Sequence, residues 1–346
     1  MEQIRNGLGK AGKFLLGMVL AALHLWALLA LYFWFMGPSV PALMVTVLYA
    51  LGVWGSFRLA KTRSHGALVG LVLFVVVAVW WTRREPGRDL LYPVETAEAA
   101  RIETELNMLT VSGMREFHYR ATDSFDERWT TRSFDLEKLQ YVDLYFIRWG
   151  LPGVAHIITS FVFEDSPPLA VSIELRREKD EPHTLLRGFF KQYELHYVWA
   201  DERDVIRLRT NFRKEDVYLH RTDLTPAQAK KMLQDMASRS NRLSEHPEFY
   251  DTLTDSCANA VSQHLMRARG KTVPFFRQPL SPAAYEKLGW DEGWLLHSKP
   301  EWTADREASH VNARAEQSPD DGGFYTRIRT HLPTPEVERS YGSGAP

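Results

Sequence analysis

VAHIITSFVF, residues 154–163, and LAVSIELR, residues 169–176, decide the fold. The first is a β-rich run of branched and aromatic residues. The second alternates apolar and polar side chains, the period of a half-buried strand. Working outward, Phe117-His-Tyr-Arg and Tyr141–Trp149 are rich in aromatics, and strands are expected from about Arg115 onward. Glu194–Trp199, Val205–Thr210 and Asp216–Arg221 continue the sheet. Thr225-Pro-Ala-Gln228 then has a Thr cap, Pro at the first helical position and Gln at the third. That is a capping-box start, and the helix should run to about Leu243. Glu248–Leu253 is a short link. A second helix begins near Asp255 or Ser256, continues through Ala260, Val261, Leu265 and Arg267, and stops at Gly270. Strands first and helices after make an α+β domain.

The flanks read differently. Residues 83–114 look like a linker and the start of a polar helix. From about Ser298 the chain is polar and loop-like, with Phe324–Leu332 as a last docked segment and 333–346 as a disordered tail. The soluble domain is therefore expected over 115–332, with no internal repeat.

Residues 1–82 are a membrane anchor of about three helices. Residues 14–36 carry no charge and are long enough for a hydrocarbon core of roughly 30 Å. Gly37-Pro-Ser-Val-Pro41 breaks that helix. Two further apolar runs follow, 41–58 and 66–82, shorter but extendable by snorkelling Lys and Arg. A cleaved signal peptide fits poorly, because the first run is long, lacks a small-residue cleavage site and precedes two more apolar runs. Arg5, Lys10 and Lys13 precede the first helix, and Arg58, Lys61 and Arg63 separate the second and third. By the positive-inside rule these lie in the cytoplasm. Three crossings then put residues 83–346 in the periplasm of a bacterial inner-membrane protein, although Arg83, Arg84 and Arg88 oppose that bias.

The net charge is -1, and the basic anchor leaves the remainder mildly acidic. A nucleic-acid partner would need a basic face, so none is expected. The single cysteine, Cys257, excludes an intramolecular disulfide. No HExxH, Walker-type loop, GxSxG or GxGxxG is present, and the histidines lack metal-ligand spacing. Neither a cofactor nor a metal is expected.

Cys257 sits where a nucleophile would sit. With Asp255 or Ser256 as the cap it lies in the first turn of its helix, where free N–H groups and the dipole favour thiolate. Its own N–H is available to an oxyanion. The alternative is a small buried side chain on the inner face with Ala260, Val261 and Leu265. Among twelve histidines, His156 stands out because it lies within a strand. A chargeable ring there needs a partner. A helix N-terminus on a sheet, with Cys facing His, is the papain-like arrangement. His264 is two turns along the Cys257 helix, about 10 Å away, too far to be the base. The next strand carries Ser172 and Glu174. Glu174 is the candidate to orient the ring, unless it pairs with Arg176 or Arg177.

These residues carry a resemblance. Val154–Phe163, SIELRRE (172–178), GFFKQYELHYVWADERDVIRLRTN (188–211), VYLHRTDLTP and HPEFYDTLTDSCANAV (246–261) resemble the Lnb N-terminal periplasmic domain family, as does HVNARAEQ…FYTRIR (310–329). The resemblance implies a circularly permuted NlpC-like, papain-like thiol fold with the histidine strand before the cysteine helix. It also implies acyl transfer on bacterial lipoproteins, from the glycerol of a lipid-modified cysteine to its amine, at a periplasm-facing site. The chain departs from the family at Asp255-Ser256-Cys257, where Asn often precedes the cysteine. It also carries its membrane helices before the soluble domain, whereas the namesake has further ones after it. Cell-wall peptide hydrolysis by the same dyad, and a non-catalytic envelope scaffold, are the competing readings. The expected partners are the lipid bilayer and either lipoproteins or cell-wall peptides.

Overall fold

A computed structural model describes residues 9–34, 39–87, 91–150, 152–182, 184–252, 254–272, 279 and 281–333. The chain forms two compact units. One comprises Met1–Leu90 with Arg177–Tyr193, and the other Leu91–Arg176 with Glu194–Pro346.

The first unit holds helices α1 (Lys10–Tyr32), α2 (Val40–Leu59) and α3 (Arg63–Thr82). All three are long and apolar enough to cross a membrane. The second and third are longer than the uncharged runs, because Ser39 and Thr62 cap them outside the apolar stretch. The first helix ends at Tyr32, before the expected Met36; residues 35–38 lie outside the described ones. The bundle packs around Ala27, Leu31, Tyr49 and Val77. Inside it His24 Nδ1 lies 2.7 Å from Tyr49 Oη. A Cβ on Gly66 would meet the Ser56 carbonyl at 2.8 Å, so glycine is what lets α3 lie against α2. Leu25, Leu48 and Val76 face outward. An apolar exterior of this kind suits lipid rather than water.

The second unit is built on a sheet. Its strands are β1 (Arg101–Glu105), β2 (Met108–Arg115), β5 (Trp129–Asp135), β6 (Leu139–Arg148), β7 (His156–Phe163), β8 (Leu169–Arg176), β9 (Glu194–Asp201) and β10 (Asp216–Arg221). The order is β1-β2-β9-β8-β7-β6-β10, with β5 on β2. A small hairpin, β3 (His118–Ala121) and β4 (Ser124–Asp126), stands apart. Ladders are antiparallel except the short β2–β9 contact. β8 occupies the residues that its alternation predicts.

Alternation divides the strands between two apolar layers. Phe146, Ile157, Phe161, Val171 and Ile173 face one cluster with α6 (Pro226–Glu245) and α7 (Cys257–Ala268). Tyr145, Ile158 and Ala170 face another, with Val205, Val311, Phe324 and Ile328. The Thr225–Gln228 capping box is formed as expected. Gly270 ends α7 with φ of +70°, a conformation that glycine adopts without strain.

Three expectations are corrected. Residues 83–114 contain no polar helix among the described ones. A 3-10 turn at Val94–Thr96 leads to β1 and β2, so the strands begin at Arg101 rather than Arg115. Val205–Thr210 is not a strand. It belongs to helix α5 (Glu202–Arg207) and a π-helical turn, Leu208–Phe212. Asp201 caps α5 by accepting from the Arg203 N–H, 3.0 Å, and Glu202 and Asp204 sit in its first turn. The tail after Ser298 is helical in part. Helices α9 (Trp302–Ser309), α10 (Asn312–Gln317) and α11 (Phe324–Arg327) form there. The docked segment is present, with Phe324 and Ile328 fully buried. Residues 334–346 lie outside the described ones.

The second layer is pinned by buried charge. Arg115 makes a bidentate pair with Asp204 at 3.0 and 2.9 Å, and the Phe117 N–H donates to the same carboxylate at 2.7 Å. Removing one partner leaves the other buried and unpaired, at a cost of about 3–5 kcal/mol. Asp204→Ala is therefore expected to lower stability by that amount in chemical denaturation of the detergent-solubilised chain. A loss below about 1 kcal/mol, the scale of an exposed pair, would contradict the assignment.

Candidate functional site

Two strands part at one end of the sheet. The β7–β8 ladder ends at Ile158↔Ser172. β7 continues on β6 as far as His156, and β8 continues on β9 as far as Arg176. The last residues of each therefore form a fork. His156 spans it: its Nε2 lies 2.7 Å from Ser172 Oγ and 3.1 Å from Glu174 Oε1. Ser172 in turn donates to Glu174 Oε1 at 2.7 Å.

Cys257 reaches this fork from α7, which lies over β7 and β8. Ser256 is the cap, accepting from the Asn259 N–H at 3.3 Å, which makes Cys257 the first helical residue. Its N–H falls outside the intrahelical ladder. Asp255 is not the cap; it accepts from Thr254 Oγ1. By strand parity His156 starts on the α5 face of the sheet, whereas Cys257 belongs to the cluster on the α7 face. The end of the β7–β8 ladder at Ile158↔Ser172 is where these side chains approach. The Cys257 thiol is close enough to His156 to act on the ring's charge, and Ser172 and Glu174 meet the ring at Nε2.

Charge follows geometry. His156 is only 6% exposed. Burial alone would lower its pKa, but Glu174 and then Cys257 outweigh burial and raise it to about 10. The ring is an imidazolium at neutral pH. Burial would raise the Glu174 pKa, but His156, Arg209 and the Ser172 hydroxyl hold it far below the ordinary carboxylate range. Glu174 pairs with neither Arg176 nor Arg177. Arg176 donates instead to the carbonyls of Thr96 and Ala97, and Arg177 to those of Lys179 and Glu181.

The three residues singled out from the sequence, Cys257, His156 and Glu174, thus come together. His264 stands apart as expected, bonded to Tyr197 at 2.8 Å and Asp235 at 2.6 Å. Among the described residues no cluster of His, Cys, Asp or Glu is suited to a metal ion.

A family model described as the Lnb N-terminal periplasmic domain matches residues 125–301, just over half of the chain. The chain belongs to this family. No curated protein and no solved structure matches it. Together with the three apolar helices, the match makes this a membrane protein with an Lnb-type periplasmic domain.

The matched span also contains site residues that sequence reasoning passed over. Ser172 was named only as a neighbour of Glu174, yet it relays between acid and ring. Arg209 lies 3.6 Å from Glu174, brought there by the π-helical turn that reads as a strand in sequence. Tyr250 is close enough to feel both Cys257 and Glu174; burial, then these charges, push its pKa well above the usual range. Its O–H therefore stays protonated. The link before α7 is strapped to β9 by the Leu195 N–H to Glu248 carbonyl bond, 2.9 Å, and by the Glu194–Phe249 bridge. That strap carries Tyr250 to the end of the sheet. The available signal was the position of Tyr250 seven residues before Cys257 in the 246–261 block. His196, opposite Glu174 on β9, is buried and kept neutral; burial and then Arg176 lower its pKa to about 3.

The site should leave a signature in stability against pH. The raised His156 pKa contributes in full below the ordinary imidazole value of 6.5 and is lost as pH climbs toward about 10. The depressed Glu174 pKa contributes above the ordinary value of 4.5 and is lost in acid below it. Glu174→Gln is thus expected to lower the melting temperature most between these two ordinary values, with the deficit shrinking toward about pH 10. A deficit constant from acid to alkali would contradict the pair.

Proposed function

We propose that the chain is a membrane-anchored, periplasm-facing thiol acyltransferase. Cys257 is the nucleophile, His156 the proton carrier, and Glu174, through Ser172, the group that holds the ring. The observation carrying this reading is a buried imidazolium with a thiol of the first turn of α7 close by and the Glu174 carboxylate 3.1 Å away.

In this reading the Cys257 thiolate attacks the carbonyl carbon of a lipid ester. Negative charge moves to the carbonyl oxygen, which the Cys257 N–H can meet. One such donor is worth about 3 kcal/mol in comparable sites. The intermediate collapses, the ester C–O bond breaks, and His156 gives its proton to the departing alkoxide. A thioester remains on Cys257. An acceptor amine then attacks it and loses its proton to His156. The C–S bond breaks, and the thiolate and imidazolium are restored. Water in place of the amine gives hydrolysis.

Lipoprotein acyl chains are the favoured substrate. The family resemblance supports this class, and the apolar helices would keep the site near the bilayer in which such chains lie. We place the anchor in the bacterial inner membrane, with three crossings, a cytoplasmic N-terminus and the 115–332 domain outside. The order of His156 before Cys257 supports the circularly permuted papain-like arrangement.

Mass spectrometry of a diacylated lipopeptide incubated with the reconstituted chain tests this. An acyl group should move to the amine, and Cys257→Ala should reduce turnover at least about a thousandfold. Turnover unchanged in Cys257→Ala would overturn the nucleophile. Release of peptides from purified cell wall with no acyl movement would replace the substrate class.

A further inference from the structure

We propose that residues 184–191 form an interfacial membrane foot, a segment seated among the lipid head groups at the end of the bundle where α1 and α3 finish. The proposal is independent of the thiol chemistry.

The segment interrupts the β8–β9 connection and packs with the membrane helices as one unit. Phe190 stacks on Phe33 at 5.3 Å between ring centroids and meets Trp81 edge-on at 6.1 Å. Lys191 Nζ donates to the Trp81 carbonyl at 2.9 Å, and the Gln192 amide donates to the Phe33 carbonyl. Phe33 directly follows α1, and Trp81 is the penultimate residue of α3. Helices of this length span about 30 Å. Their ends therefore lie at the hydrocarbon boundary, and so does whatever packs on them.

The chemistry of the segment suits that depth. Leu186 is 49% exposed and Phe189 36% among the described residues. Trp81, which Phe190 meets, stands beside Trp80, with the Arg84 guanidinium over both rings. Aromatic rings with snorkelling cations mark a bilayer interface. Exposed apolar side chains there enter the acyl boundary, within about 5–10 Å of the head groups. In water they would be a liability. The occupant of this surface is thus lipid.

Nitroxide labelling in liposomes of phosphatidylcholine and phosphatidylglycerol tests it. Cys257→Ser frees the chain of its native thiol, and Cys257→Ala serves as a second background. Leu186→Cys and Phe189→Cys report on the segment, Leu48→Cys on the bilayer interior and Leu106→Cys on water. Leu48 and Leu106 are 64% and 99% exposed. Labels at 186 and 189 should favour oxygen over a water-soluble nickel complex, with a ratio between the two controls. A ratio equal to that at 106 would overturn the proposal. Low access to both quenchers would also overturn it, in favour of a protein partner.

Discussion

A charged imidazole at the end of a sheet is tolerable only beside a negative group, because burial by itself disfavours the charge. In this chain Glu174 supplies that group. It accepts from Ser172 and pairs with the Nε2 of His156, and Arg209 lies behind it. With Nε2 so committed, the ring is held in one orientation, with Cys257 close by. The fork between β7 and β8 exists so far as this cluster fills it. Were the ladder to continue, His156 and Glu174 would be paired across it on one face, and the thiol would be left on the other.

The membrane unit solves a different problem with the same economy. Its exterior is apolar, so polar groups inside must find partners within the bundle. His24 and Tyr49 do this for each other. Gly66 removes the side chain that would hold α3 off α2. The periplasmic unit instead buries charge in networks. Arg329 bridges Asp143 and Glu202, and Ser160 also bonds Glu202, tying the late segment to the sheet.

Much of this was legible from local pattern. The bounds of β8 follow from alternation, α6 from its capping box, and the start of α7 from the Asp255-Ser256 pair, of which Ser256 is the cap. Cys257 and Glu174 could be singled out because each depends on local position, the start of a helix in one case and the strand after His156 in the other. Val205–Thr210 misled because its branched and apolar residues have a strand composition. The cap at Asp201 and the acids at Glu202 and Asp204 were the contrary signal. The tail helices were missed because α9 and α10 lack a side-chain cap and are short. The fork itself was not legible. Where a ladder ends is a tertiary fact, and so are the approach of Arg209 and the strap that delivers Tyr250.

The pairing proposed between His156 and Cys257 carries the rest, and alkylation of Cys257 tests it most directly. In the detergent-solubilised chain, His156→Ala should slow labelling at a fixed pH by at least about tenfold, since the thiolate is the reacting form. Slow labelling that is unchanged in His156→Ala would mean a buried structural thiol, and would contradict the pairing.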